Sequence, residues 1–300
     1  MIQTYKGILI KNEIKFKENE PLSLHSTFRI GGNAKLFVMP ESELQLAQAV
    51  SFAKTSGIRF FVTGKGSNIV YPDEGFDGVI ISTLAMNTVE INGCCITAGA
   101  GASFTELAVV AAKNNLTGLE FAYGIPGSLG GAVFMNAGAY DGEISFVTTK
   151  SRYFDTEKML FGEFAGHEHC FGYRESIYRE HPELIIVSAE LTLVEGNRED
   201  IDAKMNDFIT RRRDKQPLEF PSAGSSFKRY PGRYTAQMID EAGLKGFTVG
   251  GAQVSEKHAG FIINKGGATA ADVFELSNII KEKIRELHGI DIECEMIFVK

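Results

Sequence analysis

The sequence predicts an α+β protein, and three observations carry that reading. Strand-like and helix-like segments are mixed without the regular βαβα alternation of a doubly wound sheet. Short apolar runs are separated by turn signals, most clearly in TVEI-NG-CCITAG (88–99). No internal repeat or low-complexity segment interrupts the 300 residues.

The elements follow in order. Leu46, Ala49, Val50 and Ala53 share one helical face, with Ser42 placed to cap the start and Gly57 to stop the end. IRFFVTG (58–64) and DGVIIS (77–82) read as strands. Asn92-Gly93 suits the corners of a type I′ hairpin turn. Cys94 and Cys95 then fall in a strand, on opposite faces. Ser103 and Glu106 form a capping box ahead of a helix that Gly118 ends. The stretch 147–194 alternates strand-like pieces and turns, and LIIVSAELTLVE (184–195) is its best strand. EDIDAKMNDFITRRR (199–213) returns to helical spacing, with acids in its first turn and arginines in its last. Thr269 and Asp272 cap a helix whose stripe is Val273, Leu276, Ile280, Ile284 and Leu287, closed by Gly289. IDIECEMIFV (290–299) reads as a last strand, with Asp291, Glu293 and Glu295 on its polar face.

Composition narrows the function classes. An apolar fraction of 44% and a charged fraction of 23% are those of a globular protein. A net charge of −7 argues against a general nucleic-acid binder. No apolar run reaches the ~20 residues of a membrane span, and charges break up the N-terminal apolar patches, unlike a signal peptide. The four cysteines form no CxxC pair and read as reduced thiols. A cytoplasmic protein with no membrane or nucleic-acid partner is expected, and a monomer. His167-Glu168-His169 is not the HExxH zinc pattern, and no metal is expected.

Two glycine-rich loops carry chemistry. TGKGSN (63–68) follows a strand, and its N–H groups could form a phosphate nest. It lacks the Walker spacing, and Ile69 stands where the third glycine of a GxGxxG fingerprint belongs. The bland alternative is a tight turn. In GIPGSLGGAVFMNAGAY (124–140), Pro126 could start a short helix, leaving the first N–H groups at Gly127 and Ser128 free for an anion. Gly130 and Gly131 could let a flat group lie on the backbone or let a helix pack closely on a sheet. Two such loops in one acidic, enzyme-sized chain favour a diphosphate-containing cofactor.

These loops resemble those of UDP-N-acetylenolpyruvoylglucosamine reductases. STFRIGG (26–32), FGYRES (171–176), PSAGSSFK (221–228), LKGFTVGGAQVSEKHAGFIIN (244–264) and IECE (292–295) extend the resemblance, in the family's order, over nearly the whole chain. It implies an FAD-binding fold of the vanillyl-alcohol-oxidase type in two subdomains over residues 1–200, with a break near 70–85. A C-terminal α+β substrate domain would span 201–300. It also implies contacts to FAD from Gly64, Lys65, Gly66, Ser67, Asn68 and Ile69, and from Ile125, Pro126, Gly127, Gly131 and Ala132.

The implied reaction reduces UDP-N-acetylglucosamine enolpyruvate to UDP-N-acetylmuramate, with NADPH as co-substrate, in peptidoglycan precursor synthesis. Hydride passes from NADPH to FAD and then from flavin N5 to substrate C3. The resemblance implies Ser225 as proton donor to C2, Arg174 as carboxylate clamp and Glu295 as its partner. A guanidinium suits the clamp because its donors are planar and always charged. Composition alone leaves Ser225 one of three loop serines, and alternation treats Glu295 like Glu293. Tyr173, Lys215, Lys228 and Arg229 are implied as substrate-lining, Lys215 through the substrate's diphosphate.

This chain departs from the family's usual FKNP in reading Phe227-Lys228-Arg229-Tyr230-Pro231, which replaces the asparagine by a charge. Only about 50 residues separate Arg174 from Ser225, so the chain resembles the shorter subtype, without a tyrosine-bearing insertion. Two alternatives stay open at this point: another FAD-dependent oxidase of the same cofactor fold, and a non-catalytic flavin-binding protein.

Overall fold

The computed structural model describes residues Met1–Lys300. The chain forms two compact units, each assembled from separated stretches. The first holds Met1–Asn19, Lys35–Lys65 and Asp77–Thr210; the second holds Glu20–Ala34, Gly66–Phe76 and Arg211–Lys300.

In the first unit, helices α1 (Ile2–Lys11) and α2 (Glu43–Thr55) pack beside a sheet that includes the parallel strands Phe60–Thr63 and Phe76–Ser82. Six of the seven residues Phe76–Ser82 are buried, so this strand is covered on both faces and reads as an apolar run, not an alternation. Ser42 caps α2 by accepting from Gln45 N–H at 3.2 Å. Tyr5, Leu9, Leu46, Val50, Val79 and Val187 share the core, where the Tyr5 hydroxyl donates to the Ala49 carbonyl at 3.0 Å.

A five-stranded antiparallel sheet lies in the same unit, in the order Leu160–Ala165, Thr148–Asp155, Leu184–Thr192, Cys95–Gly99, Val89–Asn92. Helices α3 (Phe104–Lys113) and α4 (Leu129–Met135) share a core with it through Ile96, Phe104, Leu107, Leu129, Val133 and Leu191. Each such large side chain contributes about 1.5–3 kcal/mol by burial. The short α5 (Ile177–Glu180) follows the FGYRES segment. Helix α6 (Arg198–Lys215) buries Ile201 and Met205 against the same core.

The second unit packs α7 (Thr235–Glu241) and α8 (Ala270–His288) with a small antiparallel sheet, Thr248–Val249, Ala252–Val254 and Ile262–Asn264. The reciprocal Thr269–Asp272 capping box opens α8, and Gly289 closes it at φ 66°. Phe28, Ile30 and Val70 reach this core from far upstream and pack with Met238, Ile280 and Ile284. Thr27 Oγ1 donates to the Ser222 carbonyl at 2.7 Å, and Ile69-Val70 pairs in parallel with Ile297-Phe298.

Several expectations are corrected. The hairpin register pairs Asn92 with Cys95, so its corners are Gly93 and Cys94. Glycine alone has positive φ there, 59°, which fits a II′-type corner; Cys94 is in the turn, not a strand. Helix α3 ends at Lys113, with Asn115 left-handed at φ 56°, before Gly118 is reached. Leu287 is 52% exposed, and the buried stripe of α8 stops at Ile284. The segment 290–299 is a strand only at Ile297–Phe298, with an isolated bridge from Cys294 to Phe227. Residues 198–215 form one continuous helix across the linear boundary at 200/201, and residues 20–34 and 66–76 pack with the C-terminal stretch.

Candidate active site

The glycine-rich stretch is stitched to its neighbours by backbone hydrogen bonds. Leu129 N–H donates to the Ala102 carbonyl and Gly130 N–H to Ala100, each at 2.8 Å. Gly127 N–H turns back to Ile125 at 2.8 Å, and Phe104 N–H donates to the Gly127 carbonyl at 2.9 Å. Of the N–H groups expected to face an anion, that of Gly127 is thus engaged by Ile125, while helix α4 begins at Leu129 with its start docked on residues 100–102.

The two adjacent glycines separate. A Cβ on Gly130 would stand 2.9 Å from the Cβ of Ala100, so glycine there permits close packing. Gly131 is exposed, and a Cβ there would meet only Ser128 Oγ, at 3.5 Å. Ser128 is 2% exposed, yet its hydroxyl neither caps α4 nor has any hydrogen-bond partner. Leaving a buried hydroxyl unpaired costs about 1–3 kcal/mol. Gly64 faces the same hydroxyl, and a Cβ there would fall 2.1 Å from it. An open glycine surface and an orphaned donor–acceptor, flanked by the Gly64 loop, fit a bound polar cofactor such as FAD. Of the other residues expected here, Pro126 is exposed, Ile125 is half-buried, and Ala132 packs into the core. Lys65 is exposed at the tip of the first loop.

Arg174 sits on a tight turn in the same unit. Gly172 and Glu175 exchange both backbone hydrogen bonds at 3.1 Å, with Tyr173 and Arg174 at the corners. Arg174 has φ 58°, a conformation that costs a non-glycine residue of order 1 kcal/mol and persists only when surroundings enforce it. Its guanidinium donates to the carbonyls of Asn136 at 3.4 Å and Gly138 at 3.1 Å, and lies 5.1 Å from the centre of the Tyr173 ring.

In the second unit, Ser225 and Glu295 lie on neighbouring strands of backbone. Ser226 is fully buried: its N–H donates to Gly260 at 2.8 Å, its carbonyl accepts from Glu295 N–H at 2.9 Å, and its hydroxyl accepts from Ile262 N–H at 2.9 Å. Ser225, one residue earlier, is exposed. Glu295 is half-buried, whereas Glu293 is exposed and paired with Lys228 at 2.9 Å. The two acids that alternation treated alike are thus distinct. Asn68 ties the first glycine loop to this segment, donating to the Glu295 carbonyl at 2.9 Å and accepting from Ile297 N–H at 2.9 Å. Ile69 is buried in the pairing with Ile297, and Ser67 is half-buried. Gly66, at φ 66°, lets the loop approach the His25 carbonyl, which a Cβ would meet at 2.1 Å.

Lys215 is exposed at the end of α6. Burial holds His258 below the usual imidazole range, and the charges of Lys245 and Lys215 add to the effect. His258 Nδ1 accepts from Gly260 N–H at 3.1 Å, so this histidine orders the backbone that carries Ser226. Arg229 is exposed and lies 5.3 Å from the Tyr234 ring centre. Asn136 and the hydroxyls of Ser128 and Ser226 were not singled out from the sequence; for Ser128 and Asn136, a small polar residue inside an apolar run was the available signal.

A family model described as an FAD binding domain matches residues 34–150. With the glycine cradle, this places the chain among FAD-binding proteins. A second model, the C-terminal domain of UDP-N-acetylenolpyruvoylglucosamine reductase, matches residues 216–299. A reductase of that name from Syntrophomonas wolfei is 49% identical over 284 residues, covering 94% of each chain. One from Caldanaerobacter subterraneus is 42% identical over 299 residues, covering 100% of this chain and 98% of its own. The crystal structure of the Thermus caldophilus reductase superposes with a TM-score of 0.80 at 31% identity, over 96% of this chain and 99% of that one. The chain belongs to the UDP-N-acetylenolpyruvoylglucosamine reductase family.

Proposed function

We propose that this protein reduces UDP-N-acetylglucosamine enolpyruvate to UDP-N-acetylmuramate, using FAD and NADPH, in peptidoglycan precursor synthesis. The observation that carries the reading is 49% identity, along 94% of both chains, to a reductase of that name. Intact Ser225, Arg174 and Glu295 support it.

FAD, when bound, would supply the hydride-accepting and hydride-donating chemistry, between NADPH and C3 of the enolpyruvyl group, that no side chain has. Gly64, Ser128 and Gly131 would hold it in the first unit, where Ser128 Oγ is without a partner. Hydride at C3 builds negative charge on the substrate carboxylate, and Arg174 stabilises that charge with fixed, fully charged donors. Glu295, in its protonated form, adds a hydrogen bond to the same carboxylate. Ser225 delivers the proton to C2, which its exposed hydroxyl can do without breaking a structural hydrogen bond. Lys215 meets the diphosphate, and Tyr173, Lys228 and Arg229 line the substrate. The family's asparagine contact is replaced by the charge of Arg229. The protein acts as a cytoplasmic monomer, and separately no helix is long and apolar enough to cross a membrane.

The test is an anaerobic spectrum. Purified protein should absorb between 350 and 500 nm (roughly the flavin range), bleach with NADPH and regain colour with the enolpyruvyl sugar nucleotide. A protein that bleaches and stays bleached until oxygen enters would sink the reductase assignment in favour of an oxidase. One that never bleaches would be a flavin-binding protein without the chemistry.

A further inference from the structure

We infer that Asn136 is a positioning residue for Arg174, acting from the end of the glycine-rich helix; this rests on the proposed role of Arg174 as carboxylate clamp. Asn136 is completely buried and ends α4 in a left-handed conformation at φ 42°. Every polar group of its side chain is engaged. Nδ2 donates to Glu143 Oε1 at 3.1 Å and to the Gly172 carbonyl at 2.9 Å, and Oδ1 accepts from Ser145 N–H at 3.2 Å. The Ser145 hydroxyl donates to the same Glu143 oxygen, which fixes that carboxylate.

Gly172 is the first residue of the turn that carries Arg174. Its carbonyl accepts from Glu175 N–H across the turn and from Asn136 Nδ2, so the amide group holds the turn at its base. The main-chain carbonyl of Asn136 then accepts from the Arg174 guanidinium. One residue thus sets both the root and the tip of the arginine. Neighbouring contacts serve the same end: Ser176 Oγ donates to the Phe134 carbonyl at 2.7 Å, and Arg179 Nη1 to the Arg174 carbonyl at 3.1 Å. The strained φ of Arg174 needs such enforcement.

The residue type follows. Left-handed backbone is open to glycine, asparagine and aspartate. Glycine would lose all three side-chain hydrogen bonds. Aspartate would set a carboxylate against both Glu143 and the Gly172 carbonyl, neither of which can donate. Only asparagine offers two donors and an acceptor here. The glycine-rich motif therefore has a second task beside its cofactor surface: its last helical turn aims the group that meets the substrate.

The test separates the half-reactions in FAD-loaded enzyme by stopped flow. Asn136→Asp and Asn136→Gly should slow flavin reoxidation by the enolpyruvyl substrate about 10- to 100-fold. Bleaching by NADPH should stay within about twofold and the flavin spectrum should be unchanged, a split that general loss of structure would not produce. Adding Glu143→Gln to Asn136→Asp supplies a donor facing the new carboxylate and should recover part of the lost rate. Reoxidation at the wild-type rate in either loaded variant would overturn the inference, as would loss of FAD from both. If Arg174→Ala reoxidises like wild type, the carboxylate-clamp reading itself fails; if only the Asn136 variants do, that reading stands and the positioning role falls.

Discussion

Gly130 and Gly131 are neighbours, and the structure predicts opposite results from adding one methyl group to each. A Cβ on Gly130 would stand 2.9 Å from the Ala100 Cβ and 3.2 Å from its carbonyl oxygen. Neither can swing away, because one is backbone and the other is bonded directly to it. Overpacking of this kind costs about 1–3 kcal/mol, against roughly 0.5–1 kcal/mol gained by replacing glycine in a helix. Gly130→Ala should therefore lower stability by up to ~2 kcal/mol. At Gly131 the new methyl makes one ordinary contact, so Gly131→Ala should stabilise FAD-free protein by ~0.5–1 kcal/mol. It would also stand on the surface assigned to the cofactor and should weaken FAD binding at least tenfold, about 1.4 kcal/mol. Urea unfolding of the apoproteins reads the first quantity, and titration of FAD fluorescence reads the second. Gly131→Ala with wild-type FAD affinity would remove that face from the cofactor site. An unfolding midpoint raised in Gly130→Ala as it is in Gly131→Ala would refute the packing account.

The other expectations are separate. Ser225→Ala should leave stability within about 0.5 kcal/mol and slow substrate reduction by about 10²–10⁴-fold, read as flavin reoxidation. Ser226→Ala should do the reverse in kind: the Ile262 N–H loses its acceptor in a buried place, at a cost of about 1–3 kcal/mol, read as a lowered Tm. Burial holds His169 and His258 below the ordinary imidazole range near 6.5. The unfolded chain then binds more protons as pH falls, so stability is complete above about pH 6.5 and declines toward the depressed folded values. Thermal melts from pH 8 to 5 should show that decline, and His169→Gln should flatten it; an unaltered slope would mean His169 does not titrate on unfolding.

Some of this was legible in the chain. Helix α8 announced itself because its capping box, apolar stripe and terminal glycine are local signals. Helix α1 did not, because only Tyr5 and Leu9 are fully covered while Ile10 is 66% exposed, which blurs the period. The C-terminal segment looked like one regular strand, but its partners change along its length. Cys294 bridges Phe227 and Ile297 pairs with Ile69, so alternation does not run through Glu293 and Glu295. Likewise, nothing near Ser225 and Ser226 separates them. Their opposite exposure is set by Gly260, Ile262 and Glu295, distant in sequence. Glycine loops could be found from composition; that Gly130 packs on Ala100 while Gly131 stays open depends on which distant segment docks there.

The discontinuous second unit bears on how the chain is made. Phe28, Ile30 and Val70 leave the ribosome long before their core partners Met238, Ile280 and Ile284. At 5–20 residues per second, roughly 10–40 s pass between the emergence of Val70 and that of Ile284. For much of that interval these three large apolar side chains lack most of their native cover, and the loop to be closed spans most of the polypeptide. Completion of the second unit must wait for those later residues, at the slow rate that such long-range pairing sets.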